Sequence, residues 1–547
     1  MREIFALLLN LVPTFLTGRC TAPCAERMMP RPRLNRLFAV AVSVSFAFGI
    51  ASAPSSAETT LTWGKPSEMT GLDPQMSGDG TSWTVFYFVY ERLFTTTDDL
   101  KPKGQLAESW NQVSPTEYVF KLRENAAFSN GRPLLSGDVV ASFKRLLDPK
   151  RGSVWGRQLQ AVKDVTSVDD HTVRFELSEP LTPLLAILAV STTAIMPVKE
   201  IEDGSFDPDT TMLGSGPYMV VDHKQDESWT FARNPHYWRK GQPIADRLVI
   251  RIMGDDATPI AALREGRVDF ATFENPDTPR LLQAVPNVEV YHQSTPNYFR
   301  LDVSALQENS ILHDDRVRTA VSYAIDRDQI VKAVFGGQSN VEFPIPAAFG
   351  KTACHDHPSI ALPRAQRIEQ ARALIKQAGA ENARVGIIAS SVLVTYPLIA
   401  QVIQRNLRDI GLKPEIQELP VAEWYKRVFG PQTDFDLAIS WLAGYSDPSI
   451  IMNWWVPNFA GFNRGFLKPM EAYSPVMERI RREPDGPARD QLMSEACKLA
   501  QDGANMLALV NKSDYIAYRK DRLVPHFSKM EGNFDTLKYI YEFTRKE

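Results

Sequence analysis

Between Val385 and Ser440 the chain alternates between two hydrophobic periods, and that alternation restricts the fold more than any other stretch. Val385 to Ser390 reads as a strand, Tyr396 to Ile410 as a helix stopped by Gly411, Leu412 to Leu419 as a strand, and Glu423 to Phe429 as a helix. Next comes Asp434 to Ser440, where Phe435, Leu437 and Ile439 alternate with Asp436, Ala438 and Ser440, the period of a half-buried strand. Strands separated by helices imply crossover connections, and so a largely parallel sheet covered on both faces. The stretch that follows, Trp441 to Pro448, reads W-L-A-G-Y-S-D-P and places two aromatics and a glycine turn at a strand's end. Open α/β sheets bind small molecules just outside such ends. An ordinary strand-to-loop junction with a core tryptophan would read the same way.

At 547 residues, 44% hydrophobic and 23% charged, the chain has material for two or three domains. A formal charge of -4 leaves no basic surplus for nucleic acid. Arg31, Arg33 and Arg36 precede an apolar run of 14 residues, Leu37 to Ile50, and small residues follow as far as Ala57. That is the layout of a secretory signal, with cleavage expected after Ala57 and translation starting at Met28 or Met29. Cleavage removes six arginines and two glutamates, taking the formal charge from -4 to -8. Downstream of Ala57 no segment is long and apolar enough to span a bilayer. Two cysteines remain, Cys354 and Cys497, and the sequence leaves open whether they pair.

Taken in order, Leu61 to Gly64 reads as a first strand and Ser82 to Leu93 as a helix after a glycine-containing loop. Tyr118, Phe120 and Leu122 alternate as a strand, Asn130-Gly131 forms a tight turn, and Ser136 to Leu147 is a capped amphipathic helix. Asp255 to Phe270 reads as a helix closed by Gly266 and then a strand. In Asp315 to Arg327, Val317, Ala320, Val321, Ala324 and Ile325 share one helical face, that of a core-packing helix.

Along this order stand A-E-S-W from Ala107, F-K-L-R from Phe120, N-G-R-P-L from Asn130 and D-V-V-A-S-F-K-R-L-L-D-P from Asp138, and G-S-G-P-Y from Gly214 and R-N-P-H-Y-W from Arg233 follow. By these motifs the chain resembles the extracellular solute-binding proteins of family 5, the oligopeptide-, dipeptide- and nickel-binding group serving ATP-driven importers. The resemblance covers essentially the whole mature chain. It implies an α/β periplasmic-binding-protein fold of type II, cluster C: two lobes, with an extra small domain inserted in the first. The first lobe would comprise 58–95, 180–293 and 509–547, the extra domain 96–179 and the second lobe 294–508, with the chain crossing a hinge near Ser294 and again near Leu509. It further implies a periplasmic monomer without cofactor that closes over its solute and hands it to the permease subunits of an ABC importer, with their ATPases.

No nucleophile elbow, H-E-x-x-H pair or recognisable serine triad is present, and the eight histidines are scattered, so an enzyme is not expected. A secreted hydrolase on the same fold is the alternative of another class. Cys354, His355 and His357 form the one candidate metal cluster, although the prolines and glycine before them mark an ordinary surface loop.

Ligand contacts are expected from Asp79, Gly80 and Thr81 on the first lobe and from Trp424, Trp441, Gly444, Tyr445, Asp447, Trp454, Phe459, Asn463 and Arg464 on the second. Aromatic walls bury much area with few rotatable bonds, and core packing accounts for each ring equally well. In the peptide-binding members that this chain resembles, an aspartate three residues after the tryptophan pairs with the ligand's ammonium; here that position is Gly444. Asp447 or Asp79 would have to substitute, and Arg464 would favour a carboxylate or phosphate. The departure argues for a non-peptide solute, such as an opine, a sugar conjugate or a metal chelate, beside the peptide expected of the family.

Overall fold

The computed structural model describes residues 58–546, apart from positions 70, 78–79, 274, 356, 392–393, 431–432, 458, 460–464 and 529–534. The upstream extension and signal peptide expected at 1–57 lie outside the described residues. So do Asp79, Asn463 and Arg464, and the side chain of Thr81.

Three sheets organise the rest. A seven-stranded sheet runs in the order Val288–Gln293, Asp514–Arg519, Phe270–Phe273, Thr60–Lys65, Arg247–Ile252, Ser228–Arg233 and Tyr218–Lys224. A five-stranded sheet takes Lys413–Leu419, Arg384–Ser390, Leu437–Leu442, Tyr298–Val303 and Met506–Asn511 in that order. The third, of four antiparallel strands, is built from Ala107–Ser114, Glu117–Leu122, Thr172–Leu177 and Val162–Asp169. Helix Ser136–Leu147 packs on it; Asp138 reaches back to accept from the Leu135 N–H at 2.9 Å and so closes the helix start.

The five-stranded sheet corrects two expectations. It is mixed rather than largely parallel: Arg384–Ser390 pairs in parallel with both Lys413–Leu419 and Leu437–Leu442, whereas Tyr298–Val303 is antiparallel to Leu437–Leu442 and to Met506–Asn511. Both antiparallel pairings involve Tyr298–Val303, which enters directly from the seven-stranded sheet through 294–297, so no crossover helix fixes its direction. Second, Leu437–Leu442 is not half-buried. It is an inner strand covered on both faces, so Ala438 and Ser440 are as buried as Leu437 and Ile439.

Other boundaries follow from caps. The single helix expected over Asp315 to Arg327 is two, Asp315–Ala324 and Arg327–Phe335, because the Asp326 carboxylate accepts from the Gln329 N–H at 3.1 Å and starts the second. Val317, Ala320, Val321, Ala324 and Ile325 are all buried. The helix expected at Ser82 to Leu93 runs Gly80–Val89 and gives way to strand Phe94–Thr96. Gly266, at φ 70°, ends helix Ala257–Glu265 in the left-handed conformation.

Two segments carry the chain between the seven- and five-stranded sheets: 294–297, and 512–513. Leu509 lies inside strand Met506–Asn511, and the chain leaves the sheet only after Asn511. The crossings are bonded to each other. The Lys512 N–H donates to the Asn297 carbonyl at 2.9 Å, and the Thr295 hydroxyl to the Lys512 carbonyl at 2.8 Å. The Asn511 amide donates to the Asn297 carbonyl at 3.2 Å and to Glu342 Oε1 at 3.1 Å.

Cys354 and Cys497 form a disulfide with Cα atoms 5.5 Å apart, tying the loop after the short helix Ala347–Thr352 to helix Pro487–Gly503.

Candidate functional site

Three strands of the five-stranded sheet are parallel, so the ends of Arg384–Ser390, Lys413–Leu419 and Leu437–Leu442 share one edge. The Trp441 to Pro448 stretch starts inside the last of them and turns out at that edge. Trp441 is half-buried, opposite Phe299 in register, with the Lys512 ammonium 5.5 Å from its ring centroid. One face of the ring thus meets the second crossing segment.

Gly444 meets the first. Its N–H donates to Asn297 Oδ1 at 2.8 Å, and a Cβ placed there would lie 2.3 Å from Pro296 Cβ. No side chain fits without moving the 294–297 segment or the loop, so glycine at this position has a packing reason of its own. Asp447 is held as well. It accepts from the Ser449 N–H at 2.8 Å, capping helix Pro448–Met452, and receives both Arg489 nitrogens at 2.9 and 3.0 Å. The buried Arg489 is compensated by this pairing together with Asp485, which accepts from Nη1 at 2.8 Å.

The aromatics divide by environment. Tyr445 is buried edge-on against Trp155, centroids 5.2 Å apart. Burial pushes its hydroxyl pKa up, opposed by the Arg300 guanidinium. Trp454 is buried with the Arg300 guanidinium 5.9 Å from its ring centroid. Phe459 is half-buried beneath Arg481, whose guanidinium lies 5.0 Å away. Trp424, in contrast, packs among Tyr396, Tyr425 and Phe429 as a core residue. Gly80 begins helix Gly80–Val89, and upstream of it Asp73 forms a buried ion pair with Arg145, whose guanidinium also donates to Gln75 at 2.7 Å.

Several contacts join the part of the chain around 154–182 to the five-stranded half. Besides Trp155 on Tyr445, Gln158 accepts from the Asn453 amide at 3.0 Å, and the Thr182 N–H donates to the Arg481 carbonyl at 2.8 Å. Trp155 and Gln158 belong to helix Val154–Gln158 and went unnoticed in the sequence. So did Arg300 and Asp302. They stand on strand Tyr298–Val303, buried at all six positions, with Arg300 Nε 2.8 Å from Asp302 Oδ1. The signal was present: two charges at alternate positions of an otherwise apolar strand.

The metal reading of Cys354, His355 and His357 is corrected by the disulfide, since a cystine offers no thiolate. His357 is engaged by Ser359 at 2.8 Å and Asp502 at 3.2 Å, and burial lowers its pKa. Among the described residues no group of three or more histidine, cysteine or acidic side chains is placed to hold a metal ion.

A family model described as "Bacterial extracellular solute-binding proteins, family 5 Middle" matches residues 101–463. Among curated proteins the chain is 26% identical over 507 residues to the probable D,D-dipeptide-binding periplasmic protein DdpA of Escherichia coli K12, covering 89% of this chain and 94% of that one. Among solved structures it is similar to DppA from Helicobacter pylori in complex with the peptide STSA, with TM-score 0.79, 20% identity, and coverage of 90% of this chain and 99% of the other. It is also similar to the PBP AgaA from A. tumefaciens R10 in complex with agropinic acid, with TM-score 0.78, 22% identity, and coverage of 89% and 99%. The fold is therefore that of the two-lobed periplasmic binding proteins.

Proposed function

The chain belongs to the bacterial extracellular solute-binding proteins of family 5, and on that premise we propose that it is the periplasmic receptor of an ABC importer, capturing a peptide or peptide-like solute and delivering it to the membrane permease. The family binds solutes and does no chemistry on them, so the chain is a binding protein and not an enzyme. Segments 294–297 and 512–513 are the hinge. The first lobe then comprises 58–95, 180–293 and 512–547, the extra domain 96–179, and the second lobe 294–511. Closure works because contacts that a solute makes with both sides exist only in the closed state, so binding shifts the equilibrium toward it.

The single observation that carries the reading is the position of the Trp441 to Asp447 loop. It stands at the shared edge of three parallel strands, bonded through Gly444 to one crossing segment and covered through Tyr445 by helix Val154–Gln158. Trp441, Tyr445 and Trp454 then wall the solute, with Gly80 approaching from the first lobe, while Trp424 serves the core. A peptide is favoured over other solutes by the name of the relative DdpA, which matches over nearly its full length. Gly444 loses its force against a peptide, because the closeness of Pro296 accounts for it. Asp447, held by Arg489, is not free to take a ligand's ammonium.

Native mass spectrometry of the protein purified from the periplasm tests this. A ladder of co-purifying peptides supports it; one discrete non-peptide molecule refutes the peptide part, and covalent turnover of that molecule refutes the binding-protein part.

A further inference from the structure

Strand Tyr298–Val303 is buried at every position, and an ion pair in such a place is costly unless each polar atom finds a partner. Here the accounting does not close. Arg300 faces Asp302 as an ion pair, with Nε 2.8 Å from Oδ1 and one hydrogen bond, from Nη2 to Oδ2 at 3.3 Å, while Nε and Oδ1 themselves make no hydrogen bond. Its other terminal nitrogen, Nη1, is buried and has no acceptor. A second orphan lies close in the chain to the tryptophan that covers this guanidinium. Asn453, next to Trp454, gives its amide N–H to Gln158, while its Oδ1 is buried and has no donor. Both side chains are more than nine-tenths buried. One orphan is a charged donor and the other an acceptor, and both stand where the five-stranded half meets helix Val154–Gln158.

We infer that Arg300 is a specificity-determining residue that holds a carboxylate of the captured solute, with Asn453 Oδ1 accepting from an N–H or O–H of the same molecule. The inference rests on the solute-binding reading and deepens it by naming the ligand class as acids. A guanidinium suits the task because its planar fork can serve two oxyanions on separate edges. Asp302 orients the fork and keeps the empty site electrically neutral. Trp454 and Tyr445 exclude water, so the interaction with the incoming carboxylate is not screened as it would be in the open. In a peptide the group so held is the C-terminal carboxylate, and recognition from that end needs no free carboxylate in the Trp441 to Asp447 loop.

The test is calorimetry on protein freed of bound solute by unfolding and refolding, titrated with trialanine and with its C-terminal amide. The wild type is expected to bind the acid at least about 100-fold more tightly than the amide, the size of a lost charge-assisted contact that leaves a buried group unpaired. Arg300→Met combined with Asp302→Asn removes the pair without stranding a charge, and is expected to bind acid and amide alike. Asp302→Asn alone is expected to keep the preference for the acid, as is Arg300→Lys to a reduced degree, and thermal unfolding confirms that each variant is folded. Equal affinity of the wild type for acid and amide, or a preference that survives in the double variant, overturns the inference. If the wild type binds neither probe, the peptide reading fails and the inference is judged on the solute that co-purifies. A neutral solute overturns it, and an acid that the double variant no longer carries supports it.

Discussion

Replacing Gly444 by alanine probes the joint between the loop and the proposed hinge with a single carbon. The added Cβ would stand 2.3 Å from Pro296 Cβ, 2.8 Å from its carbonyl carbon and 2.9 Å from its oxygen. Ordinary carbon contacts lie at about 3.5–4.0 Å, so the overlap exceeds roughly 1 Å. Two of the three close atoms are backbone, and proline has no rotamer by which to step aside. Overpacking of this kind costs about 1–3 kcal/mol. If the strain falls on the closed form alone, coupling of that size weakens solute binding by about 5- to 150-fold. If it falls on open and closed forms alike, affinity is unchanged and the unfolding midpoint drops instead. The Gly444–Asn297 hydrogen bond ties the loop to the segment proposed as hinge, so we expect the first outcome. Calorimetry with the co-purified solute reads the affinity, and small-angle scattering with and without solute reads closure. A Gly444→Ala protein that binds within twofold of the wild type and closes equally would refute the coupling between this loop and the hinge.

Reduction of the Cys354–Cys497 disulfide, which spans 143 residues of sequence, is expected to cost about 2–5 kcal/mol of stability through the freed unfolded chain, read as a drop in unfolding midpoint on adding dithiothreitol. Asp447→Ala should destabilise, by at most about 3–5 kcal/mol in urea titration, because it strips the buried Arg489 guanidinium of its bidentate partner and leaves it only the exposed Asp485 carboxylate; an unchanged midpoint would show the pair to be dispensable. Glu342, buried beside Asn511, has its carboxyl pushed up to about 7 by burial, above its value in the unfolded chain. The folded form therefore holds the extra proton between roughly pH 4.5 and 7, and stability falls as pH rises through that window. Glu342→Gln should flatten that fall, and Glu91, pushed up to about 7 for the same reason, should contribute a second share that Glu91→Gln removes.

Much of the fold was legible because it is written in local periods. The strands at 384–390 and 413–419 and the helix between them begin and end within a residue or two of where apolar spacing and Gly411 put them. The mixed pairing of the same sheet was not legible, since Tyr298–Val303 and Met506–Asn511 join it from remote parts of the chain and no local period records a neighbour's direction. The site divides likewise. Trp441 and Tyr445 announce themselves as aromatics beside a glycine turn, but what Gly444 and Asp447 do depends on Pro296 and Arg489, which meet them only after folding. A missing carboxylate at 444 therefore reads as a statement about ligand, when steric closeness to Pro296 accounts for it. Arg300 and Asp302 were visible as charges in an apolar strand; their pairing, and the unpaired Nη1, needed coordinates.

The central claim is that a solute is held between the Trp441 to Asp447 loop and the part of the chain around helix Val154–Gln158, with the hinge at 294–297 and 512–513. A crystal structure of the protein with its co-purifying solute tests it most directly. The account predicts ligand density in contact with Trp441, Tyr445 or Trp454, and a rotation about those two segments when the solute is removed. Ligand density elsewhere, or two halves that keep the same relation with and without solute, would contradict it.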